Sequence, residues 1–208
     1  MNDVMLESLF FGVLVSCVTY ELGGWLRKKT KISLINPLLF SIVAVIAILL
    51  ACHIDYDTYY NGAKYLSYLL TPATVCLAVP LYEQVELLKK NVVAIIAGIL
   101  SGALTSVTCV LVLAMIFHFS HEQYVTLLPK SITTAIGMGV SEELGGIVTI
   151  TVAVIIITGV LGNMIAETVI RLAHIEEPIA KGLALGTSAH AIGTAKAMEL
   201  GEVEGAMS

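Results

Sequence analysis

Residues 91–117 read NVVAIIAGILSGALTSVTCVLVLAMIF, an unbroken run without a charged side chain. A bilayer-spanning helix needs roughly 20 apolar residues, so this stretch is long enough to cross. Its small side chains, Ala94, Gly98, Gly102 and Ser106, recur at every fourth position. That stripe is one helix face on which another backbone can approach closely, with Gly98-x-x-x-Gly102 at its centre. It reads first as a static packing face, and second as a sliding surface between moving helices.

Two further uncharged runs, 32–52 and 144–166, are also of spanning length. The chain is 57% hydrophobic and 13% charged, with a mean hydropathy of +0.91. These values define an integral membrane protein, and 208 residues leave room for about six or seven crossings and no sizeable soluble domain. The net charge of −5 gives nucleic acid no basic surface to bind. Cys17, Cys52, Cys76 and Cys109 lie in or beside apolar stretches without close pairing, so they read as small core residues rather than a disulfide framework or a zinc site. Asp3 and Glu7 precede the first apolar stretch and the basic residues follow it, the reverse of a signal peptide; a first transmembrane helix is expected at about 5–26.

Basic clusters set the expected orientation. Arg27, Lys28, Lys29 and Lys31 share one short loop and Lys89-Lys90 sit in another, which places both in the cytoplasm and the N-terminus outside. Helix 32–52 then exits, the acidic, tyrosine-rich stretch from His53 to Tyr65 becomes an external loop, and 66–88 crosses back. That crossing is expected to be broken, with Pro72 in a first turn capped by Thr71 and Pro80 interrupting the backbone ladder. His118, His121 and Glu122 lie in the next external loop; the two histidines, three apart, could bind a metal, but a solvated loop is preferred because no third ligand is apparent.

Beyond Lys130 the pattern changes. Ala135-Ile136-Gly137, five residues, Glu143-Leu144-Gly145 is matched by Ala191-Ile192-Gly193, five residues, Glu199-Leu200-Gly201. Six identities alone are weak, but both copies follow a hydroxyl-bearing stretch, Thr133-Thr134 and Thr187-Ser188, and both break at glycine. Internally repeated broken helices at membrane depth face cavities rather than lipid and point to a transport site. Segment 130–146 either crosses or re-enters; re-entry, followed by a helix over 147–170, puts Arg171 on the cytoplasmic side and is preferred. In the second broken segment, 179–201, Gly182, Gly186, His190 and Thr194 would share a face of a continuous helix. His190 is a functional candidate as an ionisable group in an apolar stretch, with a structural bond to a neighbouring helix as the alternative. Lys196 either approaches an anion or, as preferred, snorkels to the interface beside Glu199 and Glu202.

Pro37-Leu-Leu, the run from Leu70-Thr-Pro-Ala-Thr through Pro80-Leu-Tyr82, Ser131-Ile-Thr-Thr through Val140-Ser-Glu, and Gly186-Thr-Ser-Ala-His-Ala-Ile-Gly-Thr-Ala-Lys-Ala together closely resemble the LrgB/CidB family. The resemblance implies an antiholin-like or holin-like protein of the bacterial cytoplasmic (inner) membrane, modulating murein hydrolases and autolysis with a small LrgA/CidA-type membrane partner. Relatives of that family include the plastid glycolate/glycerate translocator and pyruvate-linked bacterial systems, so transport of a small monocarboxylate is implied as well. Members usually continue past Glu204-Gly-Ala-Met-Ser into a last apolar helix; this sequence stops at Ser208, so that crossing is expected to be missing or removed.

Internal polar architecture favours a carrier over a pore former, because helix N-termini can hold a carboxylate through free N–H groups. The expected architecture is an all-α, polytopic helical bundle forming a single transmembrane domain, with repeated broken or re-entrant helices and a homodimeric assembly. Its substrate site is expected where Thr71, Pro72 and Thr74 meet Thr133, Thr134 and Gly137, and Thr187, Ser188, His190, Gly193 and Thr194. No cofactor or metal is implied. Ser188 and His190 are two apart and would not face each other on a helix, and no Gly-x-Ser-x-Gly motif occurs, so an enzyme is not expected.

Overall fold

The computed structural model describes residues 10–30 and 36–208, with the backbone alone at Leu70 and Thr74. The first residues of the expected helix 5–26, and 32–35 of the expected helix 32–52, lie outside the described residues. Among the described residues every regular element is a helix. Three helical stretches, Tyr56–Glu83, Val92–Ile116 and Val148–Leu172, are long and apolar enough to cross a membrane, and Pro37–Cys52 is a shorter apolar helix. Large apolar side chains such as Val93, Leu104 and Leu172 point outward, the inverse of a water-soluble surface and the arrangement a lipid solvent selects. This is an all-α, multi-pass membrane protein.

The chain divides into two compact units, residues 1–77 and 78–208. In the first, α1 (Phe11–Thr30) packs on α2 (Pro37–Cys52) and α3 (Tyr56–Tyr68). Asn36 caps α2, its Oδ1 accepting from Leu38 N at 2.8 Å, and Pro37 occupies the first turn where no N–H is needed. Thr19 and Ser41 hydroxyls bond at 2.8 Å between α1 and α2, and Ser16 meets the Tyr59 hydroxyl at 2.7 Å. Gly12 lets the α1 backbone lie against Tyr59 and Ala63. The stretch expected as an external loop, His53 to Tyr65, is therefore mostly helix: α3 has a face to bury against α1, and tertiary packing overrides its polar composition.

The unit closes with α4 (Leu70–Cys76); the second begins with α5 (Ala78–Glu83) and α6 (Val85–Lys90). Pro72 and Pro80 each sit at the third position of a short helix, inside the first turn whose N–H groups have no intrahelical acceptor. Leu69 rather than Thr71 occupies the cap of α4, without a side-chain cap bond.

The second unit is built on two long helices, α7 (Val92–Ile116) and α10 (Val148–Leu172), and on two segments interrupted by a turn or a break. The first is α8 (His121–Leu127), a turn at 128–133 and α9 (Thr134–Glu143). Ser120 and Gln123 form a reciprocal capping box that starts α8. Thr126 lies level with the start of α10, its Oγ1 accepting from Ile147 N at 2.8 Å and its carbonyl accepting from Thr151 Oγ1 at 2.9 Å. Then α9 runs antiparallel to α10, with Ser141 bonded to Thr151 at 2.7 Å and Gly137 against Ile155. Ten residues rise about 15 Å, so α9 covers only the first half of α10.

The second is α11 (Pro178–Leu200), broken at Ala189 (φ −132°, ψ 19°) and His190 (φ 42°, ψ −140°). Its first half lies parallel to α7, since Gly98 meets Leu183 and Gly102 meets Thr187. Its second half folds back, bringing Gly193 against the Leu185 carbonyl. Leu185, Ala166 and Ala197 form a small core there. After Gly201, α12 (Glu202–Met207) turns again and lies beside the first half, with Glu204 at Gly182 and Ser208 at Gly186. Ile95, Ile179, Ala206 and Met207 make the second core.

All four cysteines are free and exposed, which corrects their reading as core residues: in a lipid-facing bundle the apolar side of a helix is its outer side.

The basic clusters yield the first prediction. With the native cysteines replaced by serine, a membrane-impermeant maleimide added outside intact cells should label Asp55→Cys and His121→Cys and spare Lys29→Cys and Lys90→Cys. The opposite pattern would reverse the orientation.

Candidate functional site

The small-residue stripe of α7 does more than pack. Gly98 and Gly102 touch Leu183 and Thr187, while Ala94, Gly102, Ser106 and Cys109 line a cavity of 790 Å³ between α7 and the first half of α11. One charged side chain reaches its deep end. Lys130, from the turn between α8 and α9, donates to Ser131 Oγ at 2.8 Å and Ser106 Oγ at 3.2 Å. At the other end lie Asn91 and Glu177, which occupy the N-cap positions of α7 and α11. From Asn91 to Ser106 the helix rises about 22 Å, so Lys130 sits well inside the apolar span while Glu177 sits at its edge.

The expected site residues are distributed as follows. Thr187 and Ser188 line the cavity, and both hydroxyls donate back to their own helix, Thr187 to the Leu183 carbonyl at 2.7 Å and Ser188 to that of Ala184 at 2.6 Å. Thr133 and Thr134 stand at the start of α9, Thr133 exposed and Thr134 half-buried, and neither lines this cavity. Thr71 and Pro72 are exposed on α4 in the first unit, and Thr74 is described by its backbone alone.

His190 turns the other way. Its ring packs over Gly159 of α10, and Nε2 lies 3.1 Å from the Ile155 carbonyl. Ile155, fully buried, also receives Gly137, so the first Ala-Ile-Gly copy and the residue preceding the second both meet α10 at Ile155. Gly137 and Gly193 are both buried in close backbone packing, Gly193 against its own preceding half-helix. The continuous face Gly182, Gly186, His190, Thr194 does not form. The break at Ala189-His190 sends His190 to α10, while the two glycines face α12 and Thr194 bonds Ser208 Oγ at 3.0 Å.

Lys196 corrects another expectation. It does not snorkel: it is 4% exposed, 2.6 Å from Glu167 of α10 and 3.0 Å from Glu199. The fold-back of α11 carries it against α10, and the two carboxylates compensate the desolvated ammonium. Glu167, Arg171, His174 and Lys181 line a separate charged cleft of 570 Å³ near the end of α10. Lys130 is what sequence reasoning missed. Its signal was present, as the basic residue directly preceding a hydroxyl-rich broken segment, but only the tertiary fold brings it to Ser106.

The LrgB-like family model matches residues 16–208. The chain is 39% identical over 208 residues to "Holin-like protein CidB" of Staphylococcus epidermidis, covering all of this chain and 90% of that protein. It is equally similar to "Holin-like protein CidB" of Staphylococcus aureus, at 39% with the same coverage. To "Antiholin-like protein LrgB" of Bacillus subtilis it is 40% identical over 202 residues, 97% of this chain and 87% of that protein. No solved structure gives a significant match. These relatives are bacterial, and the apolar helices place the chain as a multi-pass protein of the bacterial inner membrane. Apolar spans and a match over nearly the whole length concur: this chain belongs to the LrgB-like family.

Proposed function

We propose that this protein acts in the cytoplasmic membrane as a holin-like or antiholin-like regulator of murein hydrolase activity and autolysis. The observation that carries this reading is its near-full-length likeness to relatives named for both senses of that activity. A small LrgA/CidA-type membrane protein is the proposed partner, and a homodimer the proposed assembly. No catalytic role is assigned: the hydroxyls of Thr187 and Ser188 are bonded to their own helix, and His190 is turned to α10.

One observation favours a second reading, transport of a small monocarboxylate such as pyruvate or glycolate. A broken helix beside a cavity that holds a lysine and several hydroxyls among apolar side chains is an arrangement that carriers use and a simple pore does not need. Both readings are tested in one strain deleted for its own homologue. Expression of the wild-type chain should change the rate of detergent-induced autolysis and the murein hydrolase activity seen on zymograms. Proteoliposomes with and without the partner should be assayed for uptake of labelled pyruvate, glycolate and lactate. Altered lysis without uptake supports regulation alone, uptake supports the carrier, and neither effect overturns both.

A further inference from the structure

The hydroxyls around Lys130 have unused donors. An ammonium offers three N–H groups; Lys130 places two of them on Ser106 and Ser131, and among the described residues it pairs with no carboxylate. Each of those hydroxyls, having accepted from the ammonium, has its own O–H to give. The acceptor within reach is the other serine, at 3.4 Å. One N–H of Lys130 and at least one serine O–H are thus left converging on the cavity wall. Thr187 and Ser188, by contrast, have spent their protons on helix carbonyls.

A lone cation held at membrane depth with surplus donors around it is a site built for negative charge. We propose that Lys130, with Ser106 and Ser131, anchors a small oxyanion carrying a single charge in the cavity between α7 and the first half of α11. The assignment rests on the reading that this cavity takes a solute.

The single charge follows from the lining. Among the described residues its two charged side chains are Lys130 and Glu177, at opposite ends. One carboxylate neutralises Lys130, whereas the second charge of a dicarboxylate would face hydroxyls, glycine and apolar side chains with Glu177 as the next charge it meets. Among the described residues no Tyr or Trp side chain, which would suit an aromatic ligand, lines it.

The test uses the purified full-length chain in detergent, titrated calorimetrically with sodium pyruvate and sodium succinate. Wild type should bind pyruvate more tightly than succinate. Lys130→Gln should weaken pyruvate binding about ten- to hundredfold, the loss expected for one charge-assisted hydrogen bond. Lys130→Arg should stay within several-fold of wild type. Lys181→Gln, which removes a cation from the other cleft, should leave binding unchanged. If Lys130→Gln does not fold, as judged by a thermal scan, Ser131→Ala decides: it keeps the ammonium, removes one donor, and should weaken pyruvate about fivefold. Wild-type binding that survives both Lys130→Gln and Ser131→Ala overturns the anchor and leaves the cavity reading standing. Equal affinity for succinate overturns the single-charge rule, and no binding of either anion by wild type overturns both the anchor and the cavity reading.

Discussion

Gly193→Val should abolish the folded protein or lower its melting temperature more than any single surface change. A Cβ at position 193 falls on the Leu185 carbonyl and 2.9 Å from the Cβ of Ala189. Neither obstacle is the tip of a flexible side chain; both belong to the first half of α11, against which the second half folds back. Relief requires prising the two halves apart, which also pulls Ala197 from Leu185 and Lys196 from Glu167. Overpacking in a tight core costs about 1–3 kcal/mol even where side chains can adjust, so a loss of about 3 kcal/mol or more is expected here. Against a total stability of roughly 5–15 kcal/mol that is a large fraction. Gly139→Val is the control, because nothing lies within 4 Å of a Cβ added there. Thermal unfolding followed by size-exclusion chromatography checks both, and a Gly193→Val protein melting with wild type would refute the fold-back of α11.

His190→Leu should cost stability, not anion affinity. The φ and ψ of His190 lie close to those of the first central residue of a type II′ turn, a position glycine favours. Its ring secures that turn to α10 through Nε2 and the Ile155 carbonyl. Leucine keeps the awkward backbone angle and loses both the bond and the flat ring over Gly159, a combined loss of about 2 kcal/mol. Glycine at the same position relaxes the backbone but loses the bond and the ring together and leaves a void over Gly159, so His190→Gly should also melt below wild type. Pyruvate affinity per folded molecule should stay within about twofold for both variants, since a group bonded to α10 makes no contact in the Lys130 cavity. Retained stability with lost binding would move the ring into the anion site.

Much of the architecture was legible in the chain. The uncharged runs marked the long helices, because a spanning segment must satisfy its backbone internally and present apolar side chains to lipid over a fixed length. Pro72 and Pro80 fall in a stretch that the structure divides into short helices, whereas the glycines of the paired Ala-Ile-Gly motifs, read as facing a cavity, lie in close packing. Less legible was the helix α3, whose polar sequence gains its structure from Gly12 and Ser16 of α1. Periodicity along 182–194 also misled, since it assumes a continuous helix, and a single residue at positive φ redirects everything after it.

Class and membrane residence were therefore settled by composition and local chemistry: hydrocarbon length and backbone satisfaction act on consecutive residues and leave a linear trace, whereas the break expected at glycine in 179–201 falls at Ala189 and His190. Which groups meet was decided only by the tertiary structure. Lys130 and Ser106 stand 24 positions apart, Lys196 and Glu167 29, His190 and Ile155 35. Each pairing depends on the direction in which a broken segment turns, and that direction is set by where a buried cation or a ring nitrogen can find an acceptor in a solvent that supplies none.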